Sequence, residues 1–460
     1  MPGASVPGTS WKDSKSEMVK FLGTLKTRTW LAIVAALALL ERLAIYFLYR
    51  PVSYNDTLSY RRLADEVLAG WNGYDGTRMP GYPVFLAALG PDERVYLVQL
   101  ALGLLTTLLF FYLGWRVSGK GWFGALAALA HSLNLQQLFF EADLLTETLT
   151  TFFVVLALAG LAWLVYSDGK RPLYQIILAG LLTGLAGGLA MLMRALFIFL
   201  PFLATFVLLV FWRVRPRLRW AAAFSATLAG LACLAVWLSF MHTVHHMWSL
   251  STVDGYHLMN HTGMFFEYVP DQYAALRETF IQYRDAQIAQ TGSAGNAIWD
   301  AIPAMEKVSG LSFFDLSRLL EKLSIQLILQ HPQLYLRNVV LGWIAFWKVP
   351  FHWAVAGGEG ALAGLLRRTV VLAWRGALAL FNLAFLAGSV LLVWNKARRF
   401  LKLDAFWGCL LGTVWLTSIV QTLLEYGDNP RYSVPVQSLV VLAVLWAGLL
   451  VLRRLPGRNK

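Results

Sequence analysis

The sequence predicts an all-α integral membrane protein with about ten transmembrane helices, joined by outward-facing loops that contain short interfacial helices. Composition is the first reason: of 460 residues 58% are hydrophobic and 14% charged, with a mean hydropathy of +0.56. A soluble domain carries roughly 25% charged residues, so this chain has too few to cover a water-exposed surface. The second reason is that its apolar residues fall in runs long enough to cross a hydrocarbon core, which takes about 20 residues per helix. The third is the placement of charge. The net charge of +13 suggests a nucleic-acid partner only until its distribution is read: 21 of the 39 Lys and Arg lie in six short segments between apolar runs. These are Lys12 to Arg28, Arg116 with Lys120, Lys170 with Arg171, Arg213 to Arg219, Lys396 to Lys402 and Arg453 to Lys460, against only Asp13 and Glu17 within them and Asp168 and Asp404 beside them. This is the positive-inside signature of cytoplasmic loops, and no nucleic acid is required.

Taken in order, the expected spans are 29–49, 95–114, 121–139, 144–166, 173–193, 195–212, 220–240, 369–395, 404–424 and 433–452. Alternation from a cytoplasmic N-terminus puts every basic segment on one side and returns the C-terminus there. Trp30, Trp115, Trp163, Trp212, Trp220 and Trp394 mark span ends as interfacial aromatics do. Residues 333–350 are apolar enough to span, but an extra span would move the basic 396–402 loop outside. They are read as an outer interfacial helix with Arg337 and Lys348 snorkelling. The chain thus divides into a cytoplasmic tail (1–28), a transmembrane module (29–240) with an outer loop at 50–94, an extracytoplasmic loop (241–368) and C-terminal helices with a short tail (369–460). Gly292, Ser293 and Gly295 mark a turn in the long loop. Cys233 and Cys409 both lie in apolar runs, so neither a disulfide framework nor a zinc site is expected. The first 28 residues show no short apolar stretch with a cleavage site, and no removable signal peptide is expected. About 21 of the 26 Asp and Glu map to the outer side, so any chemistry faces outward.

Six outer-face clusters are candidates for chemistry. Asp56 directly follows the first span; it suits the N-cap of a helix such as 57–69 closed by Gly70, and equally a general base at the interface. Arg78 opens Arg-Met-Pro-Gly-Tyr-Pro, either a stiff loop or an anion clamp beside Asp56. Glu141, Asp143 and Glu147 crowd the entrance of the fourth span, where acids are costly unless solvated or paired; Glu147 is the deepest. Arg194 either snorkels to headgroups or neutralises a phosphate, for which a planar guanidinium is suited. Arg431 sits in a Gly/Asn/Pro turn between the last two spans, again within reach of an anion. His242, His245 and His246 follow the seventh span, with His257 and His261 beyond; they are read as interfacial or substrate-facing rather than as metal ligands.

The order of these features resembles the GT-C membrane glycosyltransferases, in particular the group of protein O-mannosyltransferases and lipid A aminoarabinose transferases. The resemblance rests on Asp-Thr-x-x-Tyr (Asp56 to Tyr60), Arg-x-Pro-Gly-Tyr-Pro (Arg78 to Pro83), Leu-Leu-Thr-Glu-Thr-Leu (Leu144 to Leu149), Gly-Leu-Ala-x-Leu-x-Arg (Gly188 to Arg194), His331-Pro332 and Arg-Tyr-x-x-Pro (Arg431 to Pro435). It runs over nearly the whole chain. It implies a polyprenyl-phosphate-linked sugar donor, an acceptor hydroxyl on a lipid, glycan or protein, and inverting transfer on the outer face of the plasma (inner) membrane. Asp56 takes the general-base role and Glu147 the place of a second acid. Arg78, Arg194 and Arg431 are the phosphate-binding candidates, and Tyr60, Tyr82, Glu141, Asp143, His245 and His246 the substrate-binding ones. No cofactor is implied, and a divalent metal is not expected because a monophosphate carrier leaves no diphosphate to hold. Acceptor recognition falls to residues 241–350, since no large C-terminal soluble domain follows. A transporter or lipid flippase and a non-catalytic membrane scaffold are the competing classes. The first calls for charges deep in several spans, where only Glu41, Arg42 and Arg375 lie here; the second makes Asp56 a cap and nothing more.

Overall fold

The chain is an all-α integral membrane protein, seen in a computed structural model that describes residues 25–167, 171–295, 297–350, 353, 360–400 and 403–454. Most of the first basic segment, together with Asp168, Lys170, Lys402 and the last basic residues, lies outside the described residues.

The first span is α1 (Thr27–Leu48), followed by two short helices, α2 (Asn55–Leu68) and α3 (Gly81–Leu89). Next come α4 (Asp92–Ser118), α5 (Gly121–Ser132), α6 (Leu135–Phe140), α7 (Glu147–Val165) and α8 (Leu173–Met193). A 3-10 turn at Ala195–Ile198 leads into α9 (Phe199–Phe211), and α10 (Pro216–His245) ends the first bundle. Eight helices among the described residues are long and apolar enough to span. Two of the ten expected spans take another form. Residues 121–139 break into α5 and α6 because Asn134 caps a new helix, its side chain accepting from Gln136 N at 3.1 Å. The 195–212 run yields the shorter apolar stretch Ala195–Phe211.

The long loop folds into α11 (Asp254–Thr262), α12 (Ala274–Thr291), α13 (Ala297–Ser309) and α14 (Phe313–Gln330). Gly292 and Gly310, at φ +74° and +68°, supply the left-handed residues that stop α12 and α13, and Ser312 caps α14. These helices close on their own core of Tyr256, Phe266, Phe280, Ile298, Leu316 and Leu320, forming a cap over one end of the bundle.

Residues 333–350 become α15 (Pro332–Phe346), whose 15 residues reach about 22 Å, short of a ~30 Å hydrocarbon core. Asn338, Gly342 and Phe346, four residues apart, are buried on one face, while Leu336, Val340 and Ile344 stay exposed on the other. Arg337 and Lys348 are exposed as well. The chain finishes with α16 (Ala361–Leu391), α17 (Asn395–Phe400), α18 (Ala405–Leu424) and α19 (Val434–Leu452). The span expected at 369–395 therefore starts eight residues earlier, as α16. The bundle core joins α4, α5, α7, α8, α9, α18 and α19 through Phe110, Phe123, Leu158, Ile176, Leu208, Phe406 and Leu439.

Candidate functional site

Backbone pairing sets the site. After α1 the chain runs extended, and Val52 forms an isolated parallel bridge with Asp143. Val52 N donates to Ala142 O at 3.0 Å and Leu144 N to Val52 O at 2.9 Å. This docks the start of α2 beside the start of α7. A buried amide inside α4 ties the same junction: Gln99 Nε2 donates to the carbonyls of Glu141 (3.0 Å) and Asp143 (2.8 Å), and its Oε1 accepts from Tyr82 OH at 2.9 Å.

The expectation that Asp56 caps a helix at 57–69 is corrected here. Helix α2 begins at Asn55, and Thr57 does the local work: its Oγ1 accepts from Tyr54 N at 2.9 Å and donates to Leu144 O at 3.0 Å. Asp56 is thus left to its ionic partners. Gly70, at φ +77°, closes the helix as expected. Gly81 lets α3 approach the end of α8: an added Cβ would lie 2.7 Å from Leu192 O and 2.6 Å from Met193 Cε. That contact brings Arg78, just before α3, near Arg194, just after α8.

The result is one cluster. Arg78 Nη2 donates to Asp56 Oδ1 at 2.7 Å and Arg431 Nη1 to Asp56 Oδ2 at 2.8 Å. Arg194 Nη2 donates to Glu147 Oε1 at 2.6 Å, and Arg431 Nε bonds the same oxygen. Arg194 Nε also donates to Thr146 Oγ1 at 2.7 Å, and its guanidinium lies over the Tyr432 ring at 4.7 Å. Three guanidiniums meet two carboxylates at hydrogen-bond distance, and Asp428, 3.7 Å from Arg431 at the edge, is the third that balances the charge. Burial pushes the Asp56 carboxyl up, but the charges of Arg78 and Arg431 outweigh it and hold the group at about 2.

The cluster forms one end of a cavity of about 600 Å³. Asp56, Tyr60, Arg78, Arg194, Arg431 and Tyr432 supply its polar side, and Met79, Met193, Leu196, Ile198, Val420 and Leu424 an apolar one. Asp254, His257, Glu321 and Glu425 line the same cavity. His257 Nδ1 lies 3.6 Å from Glu425 Oε1, and Tyr432 OH donates to Glu425 Oε2 at 2.5 Å. Burial pushes Glu425 up, yet His257, the Tyr432 hydroxyl and Arg78 bring it to about 2; burial pushes His257 down, and Glu425 more than restores it.

Of the expected site residues, Asp56, Tyr60, Arg78, Arg194 and Arg431 converge on this cavity. Glu147 lies just behind it, fully buried as the first residue of α7 rather than a turn inside a span, and acts as counter-ion to two arginines. Tyr82 is buried against Gln99 and the edge of Tyr60. Glu141 is paired with Arg42, through Nε at 3.1 Å and Nη2 at 2.7 Å, and packs onto Gly103, where a Cβ would lie 2.0 Å from its carboxyl carbon. Asp143 accepts from Tyr54 OH at 3.3 Å. His245 Nε2 lies 3.0 Å from Tyr74 O, and His246 ends α10 in the left-handed region at φ 53°. None of Tyr82, Glu141, Asp143, His245 and His246 lines the cavity, so they are structural neighbours of the site. Among the described residues no group of three or more His, Cys, Asp or Glu converges to hold a metal ion.

Sequence reasoning missed Glu425 and Tyr432 as site members, although they stand in the same turn as Arg431, and left His257 among the interfacial or substrate-facing histidines without joining it to this site. It also missed Gln99, for which a signal existed: a lone amide within an apolar span must find partners. Comparison with protein-family models gives no match, and comparison with curated proteins gives none either.

Proposed function

We propose that the protein is a glycosyltransferase that moves a sugar from a polyprenyl-phosphate carrier to an acceptor hydroxyl by a single inverting displacement. The observation that carries this reading is the cluster itself: three guanidiniums and Asp56 in a cavity that Met79, Met193, Leu196, Ile198, Val420 and Leu424 also line. A phosphodiester carried on a long isoprenoid offers the same pairing of anion and hydrocarbon. Its phosphate would meet Arg78, Arg194 and Arg431, and its first isoprene units would lie against Met193, Leu196, Ile198 and Leu424.

In this reading the acceptor hydroxyl attacks the anomeric carbon and its proton passes to Asp56. The bond between that carbon and the phosphate oxygen breaks, and the electron pair leaves on the phosphate. The arginines stabilise the second negative charge the phosphate then acquires. Asp56 is a carboxylate at any physiological pH, so the base is always in its reactive form. As the guanidiniums turn toward the donor phosphate, their hold on Asp56 relaxes and its proton affinity rises. Glu147 serves as the buried anchor for Arg194 and Arg431. The positive-inside pattern supports placing the site on the outer face of the plasma membrane, with both termini cytoplasmic.

The deciding experiment compares wild type with Asp56→Asn for transfer from a radiolabelled polyprenyl-phosphate-sugar pool in the same membranes. Wild type is expected to transfer and the folded variant to lose about 10²–10⁴-fold in rate. Equal rates would remove Asp56 from the mechanism. No transfer by wild type from any donor would favour a transporter or a scaffold.

A further inference from the structure

A second cavity, of about 570 Å³, adjoins the first. The two share a wall of Thr77, Arg78 and His257. Its bundle side is made by Ser59, Arg62 and Asp75; Arg62 is ion-paired with Asp75, which also accepts from Thr77 N (2.9 Å) and Thr77 Oγ1 (2.7 Å). The cap contributes Trp299, Phe313 and Phe314, all half-buried. Trp299 meets the His257 ring edge-on at 5.7 Å, and Phe313 meets Phe314 edge-on at 5.5 Å.

Aromatic rings beside a charge pair suit a ligand with alternating C–H faces and hydroxyl edges. The rings stack on the C–H face, while the carboxylate and guanidinium take the hydroxyls bidentately. An extended peptide would instead be gripped by unpaired backbone groups along a strand edge. Ser59, Arg62 and Ile302 stand inside helices, and the carbonyls of the extended stretch Asp75 to Arg78 are already taken by Thr252 Oγ1 and N, Ser251 Oγ and Tyr74 OH. With Nδ1 turned toward Glu425, His257 has its other ring nitrogen left for a hydroxyl at the shared wall.

We propose that this second cavity is the acceptor subsite and that the acceptor is a carbohydrate, stacked on the Trp299–Phe314 side and delivering its hydroxyl past His257 to the donor. The inference rests on the transferase reading and leaves the bond-making step there unchanged. It assigns the acceptor class, and it gives the cap a substrate-binding task.

The test uses purified full-length protein, the radiolabelled polyprenyl-phosphate-sugar pool, and two acceptor sets: mixed soluble oligosaccharides and Ser/Thr-rich peptides. Trp299→Ala and Phe314→Ala are compared with wild type; Phe314 lies outside the cap core, so its variant keeps the fold. Label is expected in the oligosaccharides and not in the peptides. Each variant should raise the acceptor KM about tenfold with the donor KM unchanged. Saturation-transfer NMR with the oligosaccharides alone should show binding to wild type and its loss in the variants. Label in the peptides, or variants with unchanged acceptor KM and unchanged NMR binding, would overturn the assignment. Failure of wild type to label either set while it still labels acceptors in membranes would overturn this assignment alone; failure in membranes as well would sink the transferase reading, and this inference with it.

Discussion

Glu147 shows how much a single buried carboxylate governs. It is fully buried, and one of its oxygens serves both Arg194 and Arg431. Removing its charge leaves two guanidiniums competing for what remains. Glu147→Gln should lower stability by about 3 kcal/mol, the usual cost of breaking a buried ion pair from one side. It should weaken donor binding too; a melt in detergent, with and without polyprenyl phosphate, reads both effects. The sequence placed Asp56, Arg78, Arg194, Arg431 and Tyr60 correctly as neighbours because all follow span ends on one side. It could not separate them from Tyr82, Glu141 and Asp143, which share that side but are turned inward. Burial of a span-end side chain depends on what the next helix presents, and here Gly103 presents nothing, so Glu141 turns inward to Arg42.

Elements act through their contacts. The approach of α3 to the end of α8 is set by Gly81, and the atom an added methyl would meet is a backbone oxygen that cannot swing aside. Gly81→Ala should push Arg78 away from Arg194 and weaken donor binding several-fold while the bundle stays folded; KM for donor against melting temperature separates the two. A second contact joins α11 to α15. His261 is buried between Tyr335 (5.2 Å) and Tyr426 (5.8 Å), and burial lowers its imidazole to about 4. Its unfolded value is about 6.5, so the unfolded chain binds the proton more readily. Stability from this group is complete above about 6.5 and is lost as pH falls toward 4. His261→Phe should flatten the fall in melting temperature between pH 6.5 and 4; an unchanged slope would assign that fall elsewhere.

For the whole molecule, hydropathy located the eight helices among the described residues that are long and apolar enough to span, because it reports length and polarity, the two properties a bilayer selects. The break at Asn134 and the shortness of α9 were not legible, since apolar composition continues through both. The cap was legible only as a long polar loop, because its core draws on residues from Val253 to Leu327, far apart in sequence. Sidedness makes a direct prediction. Ser293→Cys, exposed in the turn after α12, should react with a membrane-impermeant maleimide on intact cells. Lys396→Cys, exposed in α17, should react only after permeabilisation. The reverse pattern would invert the proposed orientation.

In the resting cluster Asp56 already bridges Arg78 and Arg431, so the site keeps an anion of its own. In the proposed reading a donor phosphate therefore enters by exchange, displacing an internal ligand instead of filling a vacancy. The affinity it shows is a difference between two anions for the same guanidiniums, smaller than either alone. In that reading the same swap runs backward once the sugar has gone and Asp56 has passed its proton to water: the carboxylate returns to its arginines and loosens their grip on the spent carrier. A tethered competitor of this kind trades tightness of capture for speed of release.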